Sequence, residues 1–371
     1  MPVVEGTTLA LSLRERLIWA ALASDLRFGP KSFRQVLSRF SQLELFWDQE
    51  TGDWVRAGVP QEIADKATEI KRRVDLDAIA GQLERLGVRV ITLQDEDYPP
   101  LLKEIAVPPA VLFVRGKLEL NQPTIAVVGT RMMTTYGQRV ATELSLELAR
   151  QGMVVVSGLA IGIDGVAHRA ALEGKGTTWA VLASGVDQPY PATHRRLAED
   201  ILNSGGALIS EFPLGTGALR HHFPIRNRII AGLSRATLVI EAAEQSGSLI
   251  TARSALEANR DVFAVPGSIY SSHARGPHSL IQMGAKLVQS VDDILLELNL
   301  VKSRSEQAVR EIIPDSKEEA LILRQLGAEP ISLDDLVAAV ALDAATVMST
   351  VTLMEMKGSV RNLGNSCFVR R

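Results

Sequence analysis

At 371 residues, 46 % apolar and 22 % charged, the chain has the balance of an ordinary globular protein and length for about two to three domains. No charge-free run reaches the ~18 residues of a membrane span, and Met1-Pro2-Val3-Val4-Glu5 lacks the basic-then-apolar order of a secretory signal. A single cysteine, Cys367, excludes an internal disulfide or a multi-thiolate metal site and points to a reducing cytoplasm, while a net charge of −3 requires any positive surface to be gathered locally.

Residues 1–88 read as helical. Apolar residues recur at three- and four-residue spacing over 9–26 and 33–40, and the same mode continues over 61–86 with Asp65 and Arg72 on a solvent face. Phe28-Gly29-Pro30 breaks the first two helices, and Pro30 suits the first position of the next. Such a piece is a scaffold or a small nucleic-acid hairpin module.

From residue 89 the pattern changes. Val88–Thr92 and Ala110–Val114 are short β-rich runs bracketed by Pro99-Pro100 and Pro108-Pro109. A regular alternation follows: apolar runs at 124–128, 153–156, 178–182, 207–209, 236–240 and 262–265 separated by helical stretches at 136–151, 163–173, 194–203, 224–232 and 248–259. Continuous apolar strands alternating with amphipathic helices mean βαβ units and a doubly wound parallel sheet covered on both faces.

Residues 301–318 are polar and charge-rich, a linker. Residues 319–371 carry helix signals at 319–326, 333–340 and 343–357, then a period-two hairpin turning at Gly364-Asn365, the order of a winged helix. That segment holds six acids (Glu319, Glu329, Asp334, Asp335, Asp343, Glu355) against five bases (Arg324, Lys357, Arg361, Arg370, Arg371). A duplex-binding winged helix is normally basic, so contact with protein, or regulation, is at least as good a reading.

In an open parallel sheet, ligands lie beyond the carboxyl ends of the strands, at the switch point. The loops expected there mix Gly with Ser or Thr and open helices: Gly129-Thr130-Arg131, Ser157-Gly158, Ser184-Gly185, Ser210-Glu211 and Ser246-Gly247-Ser248. Such loops admit anions to backbone N–H groups and helix N-termini, though tight turns and caps use the same residues. Two stretches near this rim are free of acids. Only Arg131 and Arg139 are charged between Glu119 and Glu143, and only Arg220, Arg226, Arg228 and Arg235 between Glu211 and Glu241. The run Arg220-His-His-Phe223-Pro-Ile-Arg226-Asn227-Arg228 joins guanidiniums to an aromatic ring, as a single-strand groove needs. Arg131 and Arg220 are expected to meet the ligand. Arg226 and Arg228 could equally pair with acids such as Glu211 or Glu241 within the fold.

Catalytic and cofactor fingerprints are missing. Gly129 to Gly137 is no G-x-G-x-x-G, Lys175 lacks the P-loop spacing, no G-x-S-x-G elbow occurs, and the six histidines offer no H-E-x-x-H. His168 reads as a packed or capping residue. No cofactor, no metal and no catalytic constellation are expected.

The motifs themselves go further. Gly129-Thr130-Arg131 with Tyr136-Gly137, Ser157-Gly-Leu-Ala-x-Gly-Ile-Asp164 with Ala167-His168, Tyr190-Pro191, Ser210-Glu211, Phe223-Pro-x-Arg-Asn-Arg-Ile-Ile-Ala-Gly232, Ser246-Gly-Ser-Leu-Ile-Thr-Ala252 and Val265-Pro266-Gly267 strongly resemble the DNA-processing protein A (DprA/Smf) family, continuously over about 90–290. The resemblance implies a Rossmann-like ssDNA-binding domain at 89–300. It is flanked by a sterile-alpha-motif or helix-hairpin-helix-like domain at 1–88, a linker at 301–318 and a winged-helix-like domain at 319–371. It further implies a cytoplasmic protein that binds single-stranded DNA, dimerises through the Rossmann-like domain and helps load RecA onto DNA taken up in natural transformation. By position, Arg131 would hold a backbone phosphate, Ser157-Gly158 and Ser246-Gly247-Ser248 would supply amides and hydroxyls, and Arg220 would add charge beside Phe223, whose ring would support a base. The family often has an asparagine where this chain has His278.

Two other functions compete. A nucleotide or nucleotide-sugar hydrolase could use the same rim, with Glu211, Glu241 or Asp164 poised over a sugar. A duplex-binding regulator would act through residues 319–371.

Overall fold

The runs Thr-Ile-Ala-Val-Val, Val-Val-Val-Ser, Thr-Trp-Ala-Val, Ala-Leu-Ile-Ser and Ala-Thr-Leu-Val are buried at every position, which suits strands covered on both faces. In the computed structural model they are β3 (Thr124–Val128), β4 (Val154–Ser157), β5 (Thr178–Val181), β6 (Ala207–Ser210) and β7 (Ala236–Val239). With β1 (Val88–Thr92), β2 (Val111–Gly116), β8 (Asp261–Ala264) and β9 (Lys286–Leu287) they form one nine-stranded sheet in the order β1-β2-β6-β5-β4-β3-β7-β8-β9. The seven strands from β6 to β9 in this order are parallel, and β2 and β1 extend the β6 edge as an antiparallel pair. The chain winds outward from β3 through β4, β5 and β6, then returns to β7 on the other side of β3. The switch point therefore lies between β3 and β7, where Val128 pairs in register with Val239. The structure describes residues 11–300, 316–326, 331–340, 342–356, 360–362 and 367–370, and the chain divides into two compact units, Met1–Asn299 and Leu300–Arg371.

The doubly wound expectation holds, and three elements beyond it are present. β9 and the helices Arg275–Gln282 and Val291–Glu297 follow β8. Both residues of β9 are exposed, so no apolar run marks it.

Among the described residues, six short helices precede β1: Leu13–Ala23, Pro30–Leu37, Leu43–Trp47, Thr51–Arg56, Gln61–Arg73 and Leu76–Leu86. Pro30 stands in the first turn of its helix as its fixed φ favours. The stretch 61–86 is two helices, because the Asp75 side chain accepts from the N–H groups of Asp77 and Ala78 and starts a new one. Trp19 stacks on Phe33 at 4.9 Å and Phe46 on Trp54 at 4.2 Å. The core these rings build continues into Val90, Phe113, Leu182 and Leu208 of the sheet region, so the helices cover one sheet face at the antiparallel edge. The other face has its own core, including Trp179, Ile209, Ile230 and Phe263's neighbours Val262 and Ala264.

The second unit has helices Lys317–Gln325, Leu333–Val340 and Ala344–Met356, and a sheet ordered β10 (Ile331–Ser332), β12 (Cys367–Arg370), β11 (Val360–Asn362). Ile322, Leu336, Val347, Val351, Val360 and Phe368 form its core. The expected hairpin strands are present, joined by β10, while the turn at Gly364-Asn365 and most of the expected linker lie outside the described residues. Ser316 caps the first helix by accepting from the Glu319 N–H, so the helix starts at Lys317.

Behind β4 the chain makes a left-handed turn at a non-glycine residue, Leu159, at φ +56°. Its N–H donates to His168 Nε2 (3.3 Å), and its carbonyl lies 2.9 Å from His194 Nδ1. The other His168 nitrogen lies 2.7 Å from Thr178 Oγ1, whose own proton goes to the Val155 carbonyl. His168 is thereby a neutral ring protonated at Nδ1, fully buried. Burial, helped by His194 and Arg226, lowers its pKa to about 3. Since the unfolded chain has a histidine pKa of about 6.5, the unfolded state takes up the proton first as pH falls. The stability this ring contributes is complete above pH ~6.5 and is lost progressively below it. Urea unfolding of His168→Asn between pH 7 and 4.5 should show a pH slope shallower than wild type by up to about 1.4 kcal/mol per pH unit.

Candidate nucleic-acid interface

The cleft at the switch point is shaped by what leaves β3 and β7. After Val128 the chain runs Gly129-Thr130-Arg131, and after Val239 it runs Ile240-Glu241. The Thr130 N–H donates to the Glu241 carbonyl (2.7 Å). The buried Glu241 carboxylate accepts from the Thr134 N–H (2.9 Å) and hydroxyl (2.6 Å), and Thr134 in turn caps the helix Thr135–Arg150 through the Gly137 N–H. A Cβ at Gly137 would overlap the Glu241 carboxylate, and one at Gly129 would stand 2.5 Å from the Ile163 side chain. These glycines serve packing, and the loop they shape leaves Arg131 exposed.

Opposite stands the helix His222–Gly232. Its residues at helical spacing, Phe223, Arg226 with Asn227, and Ile230, face a cleft of about 410 Å³ whose other walls are Gly129, Thr130, Arg131, Ala160, Asp164 and Ser246–Ser248. The Arg131 guanidinium lies over the Phe223 ring at 4.7 Å, a cation–π contact that holds both side chains in place. Asn227 Nδ2 donates to the Gly247 carbonyl (3.1 Å), tying the helix to the loop after β7. The Ser246 and Ser248 hydroxyls lie 2.8 Å apart, and Ser246 caps the helix Gly247–Glu257 through the Ser248 N–H.

Of the thirteen residues read from the sequence, nine line this cleft: Gly129, Thr130, Arg131, Phe223, Arg226, Asn227, Ser246, Gly247 and Ser248. The remaining four stand elsewhere. Arg220 is exposed just before the helix. The Ser157 hydroxyl is fully buried and donates to the Val127 carbonyl (2.6 Å), while the Gly158 N–H donates to Asp164 (3.1 Å). The loop after β4 is thus a structural brace, and offers the rim neither hydroxyl nor that amide. Arg228 donates to Glu211 (2.5 Å) and to the Val107 carbonyl (2.8 Å), so the pairing weighed in sequence is made with Glu211.

Arg226 lines the cleft floor while itself buried. Its guanidinium donates to the carbonyls of Gly158 (2.6 Å) and Val181. Burial lowers its pKa to about 10, and Asp164 pulls the other way. Burial raises the Asp164 carboxyl in turn, opposed by Arg226, its backbone donors and Arg131. A Cβ at Gly158 would lie 2.6 Å from this guanidinium, so glycine is required there for close approach. Thr134 is not among the contacts expected from the sequence, where Asp164 figures only in the motif run and as a candidate carboxylate over a sugar. Threonine just ahead of a helical stretch is a cap signal, but that its hydroxyl would meet a carboxylate 107 positions on is not written in any local pattern.

Two family models match the chain: DNA recombination-mediator protein A over residues 89–299, and the DprA winged helix domain over residues 306–365. The chain belongs to the DNA recombination-mediator protein A family. Its function is accordingly in DNA processing and recombination. Among curated relatives it is 44 % identical over 240 residues to the DNA processing protein DprA of Bacillus subtilis, covering 63 % of this chain and 80 % of that protein. It is 40 % identical over 303 residues to protein Smf of Escherichia coli, covering 78 % and 81 %. Among solved structures, DNA processing protein A from Streptococcus pneumoniae superposes with a TM-score of 0.67 at 36 % identity, covering 78 % of this chain and 99 % of that one. DNA processing protein A from Helicobacter pylori, in a structure concerned with its single-stranded DNA binding mode, gives 0.52 at 26 % identity, covering 57 % and 96 %.

The division between cleft residues and brace residues in this family member is measurable. Arg228→Ala should cost about 1.5–3 kcal/mol of stability by stranding Glu211, and Ser157→Ala about 1 kcal/mol. Neither should change the salt dependence of DNA affinity, which fluorescence anisotropy reads directly.

Proposed function

We propose that the switch-point cleft holds unpaired DNA, and that the protein is a non-catalytic mediator that protects such DNA and loads RecA in natural transformation and homologous recombination. The observation that carries this reading is Arg131: an exposed guanidinium, in no ion pair with any described residue, stacked on Phe223 at the mouth of a cleft. An arginine so held can meet a backbone phosphate while the adjoining ring stacks a base, and neither contact reads sequence. The Ser246 and Ser248 hydroxyls would add phosphate contacts, with Arg220 supplying charge at the approach. Ser157, Gly158 and Arg228 support the site from within the fold, and Arg226 holds its floor.

Each carboxylate a hydrolase would need is already engaged. Glu211 is bound by Arg228, Glu241 by Thr134, and Asp164 accepts from the Gly158 N–H beneath the cleft. That supports binding without chemistry. Incubation with nucleoside monophosphates should release no free base by chromatography; turnover would decide for the hydrolase.

The three-part division fits this reading: helices over 1–88 as scaffold, 89–300 as the DNA-binding domain, and, after the linker at 301–318, residues 319–371 as a protein-contact unit. The helix Ala344–Met356 carries no lysine or arginine and exposes Met348 and Leu353, which suits a protein partner better than duplex DNA. A homodimer through the Rossmann-like domain would use the β9 edge, where Leu256, Met283 and Leu287 are exposed. The proposed work is in the cytoplasm; no single helix among the described residues is long and apolar enough to cross a membrane.

Affinity for oligothymidine should exceed that for duplex and fall as salt rises. Arg131→Ala should weaken binding alike across base sequences and lower the slope of log K against log salt by about 0.7, the value for one phosphate on a single strand. Wild-type slope and affinity in that variant would remove Arg131 from the DNA.

A further inference from the structure

Resting on that reading, we infer that Tyr190 is a second base-stacking platform, and that the single strand runs from the switch-point cleft across Phe223 onto the loop after β5. Arg131 follows β3 and Tyr190 follows β5, with β4 between them in the sheet. Two strand spacings, about 9.6 Å, separate the ends of β3 and β5 along the carboxyl edge. Phe223 bridges the gap: its ring centroid is 4.7 Å from the Arg131 guanidinium carbon and 6.1 Å from the centroid of Tyr190. The two rings are inclined at 69°, so they do not cover one another as a stacked pair would. Tyr190 remains 53 % exposed, a large aromatic surface in solvent beside a cationic site.

The loop that carries Tyr190 is held from several sides. The Ser184 hydroxyl donates to the Gln188 carbonyl (2.7 Å), the Gly185 N–H donates to the Thr216 carbonyl (2.9 Å), and the Asp187 carboxylate accepts from the Gly215 N–H (3.0 and 3.1 Å). This stitching joins the loops after β5 and β6. It fixes Tyr190 before any ligand arrives, so stacking a base there costs little ordering of the protein. The ring brings no charge. Its contribution is therefore separable from that of Arg131.

The test is anisotropy of the full chain with fluorescein-labelled oligothymidine of about 16 nucleotides, the upper site size for such grooves, over a salt series. Tyr190→Ala should bind about fivefold or more weakly with the wild-type salt slope and an unchanged melting temperature, and Tyr190→Trp should stay within about twofold of wild type. Arg131→Ala is measured alongside. If Arg131→Ala is weakened with its slope reduced and Tyr190→Ala binds as wild type, the strand does not cross Tyr190 and this inference is overturned. A shallower salt slope in Tyr190→Ala would equally overturn stacking as its role. If both variants bind as wild type, the reading of the cleft itself fails.

Discussion

A guanidinium buried beneath the switch point organises the rest of this molecule. Arg226 reaches from the helix His222–Gly232 to carbonyls at the ends of β4 and β5, and a cation out of water is tolerable only with such partners and a counter-charge. The demand propagates outward. Residue 158 must be glycine so that the guanidinium can approach, Asp164 must stand at the start of its helix with burial raising its pKa against the pull of Arg226, and the helix cannot slide or rotate without breaking these bonds. Phe223, one turn before Arg226, is thereby placed where Arg131 lies over its ring.

Charge is divided by depth. Three carboxylates around the carboxyl edge of the sheet are drawn into the fold, Glu241 onto Thr134, Glu211 onto Arg228 and Asp187 onto the Gly215 N–H, while Glu244 in the loop after β7 stays exposed, 3.5 Å from Arg275. Arg131 and Arg220 remain outside. A chain with net charge −3 can in this way present a local cationic rim, because Glu241, Glu211 and Asp187 are occupied within the fold and the exposed Glu244 lies beside Arg275. The field at such a rim depends on local arrangement far more than on the total charge.

The braces and the contacts come from the same loop vocabulary. Glycine beside serine at a strand end serves a phosphate, a cap or a tight approach of side chain to backbone. In the loop after β4 it serves the last of these, with Leu159 pinned by two histidines and Ser157 bonded to β3. In the loop after β7 the serines line the cleft.

Periodicity and strand-length apolar runs were sufficient to read the doubly wound sheet, the helices between its strands and the location of the site at their carboxyl ends, because burial on both faces imposes continuous hydrophobicity that any reader of the chain can see. The motif run from Gly129 to Gly267 likewise named the family. Local signals failed where the determinant was short or exposed: β9, β10 and the Asp75 cap that splits 61–86. What only the tertiary structure decided was the direction each arginine takes. Arg226 and Arg228 lie two residues apart on one helix, about 200° apart around its axis, so one enters the cleft floor while the other turns to Glu211. Whether a guanidinium faces solvent or a carbonyl depends on carboxylates and backbone brought in from distant strands, and sequence proximity holds no record of that.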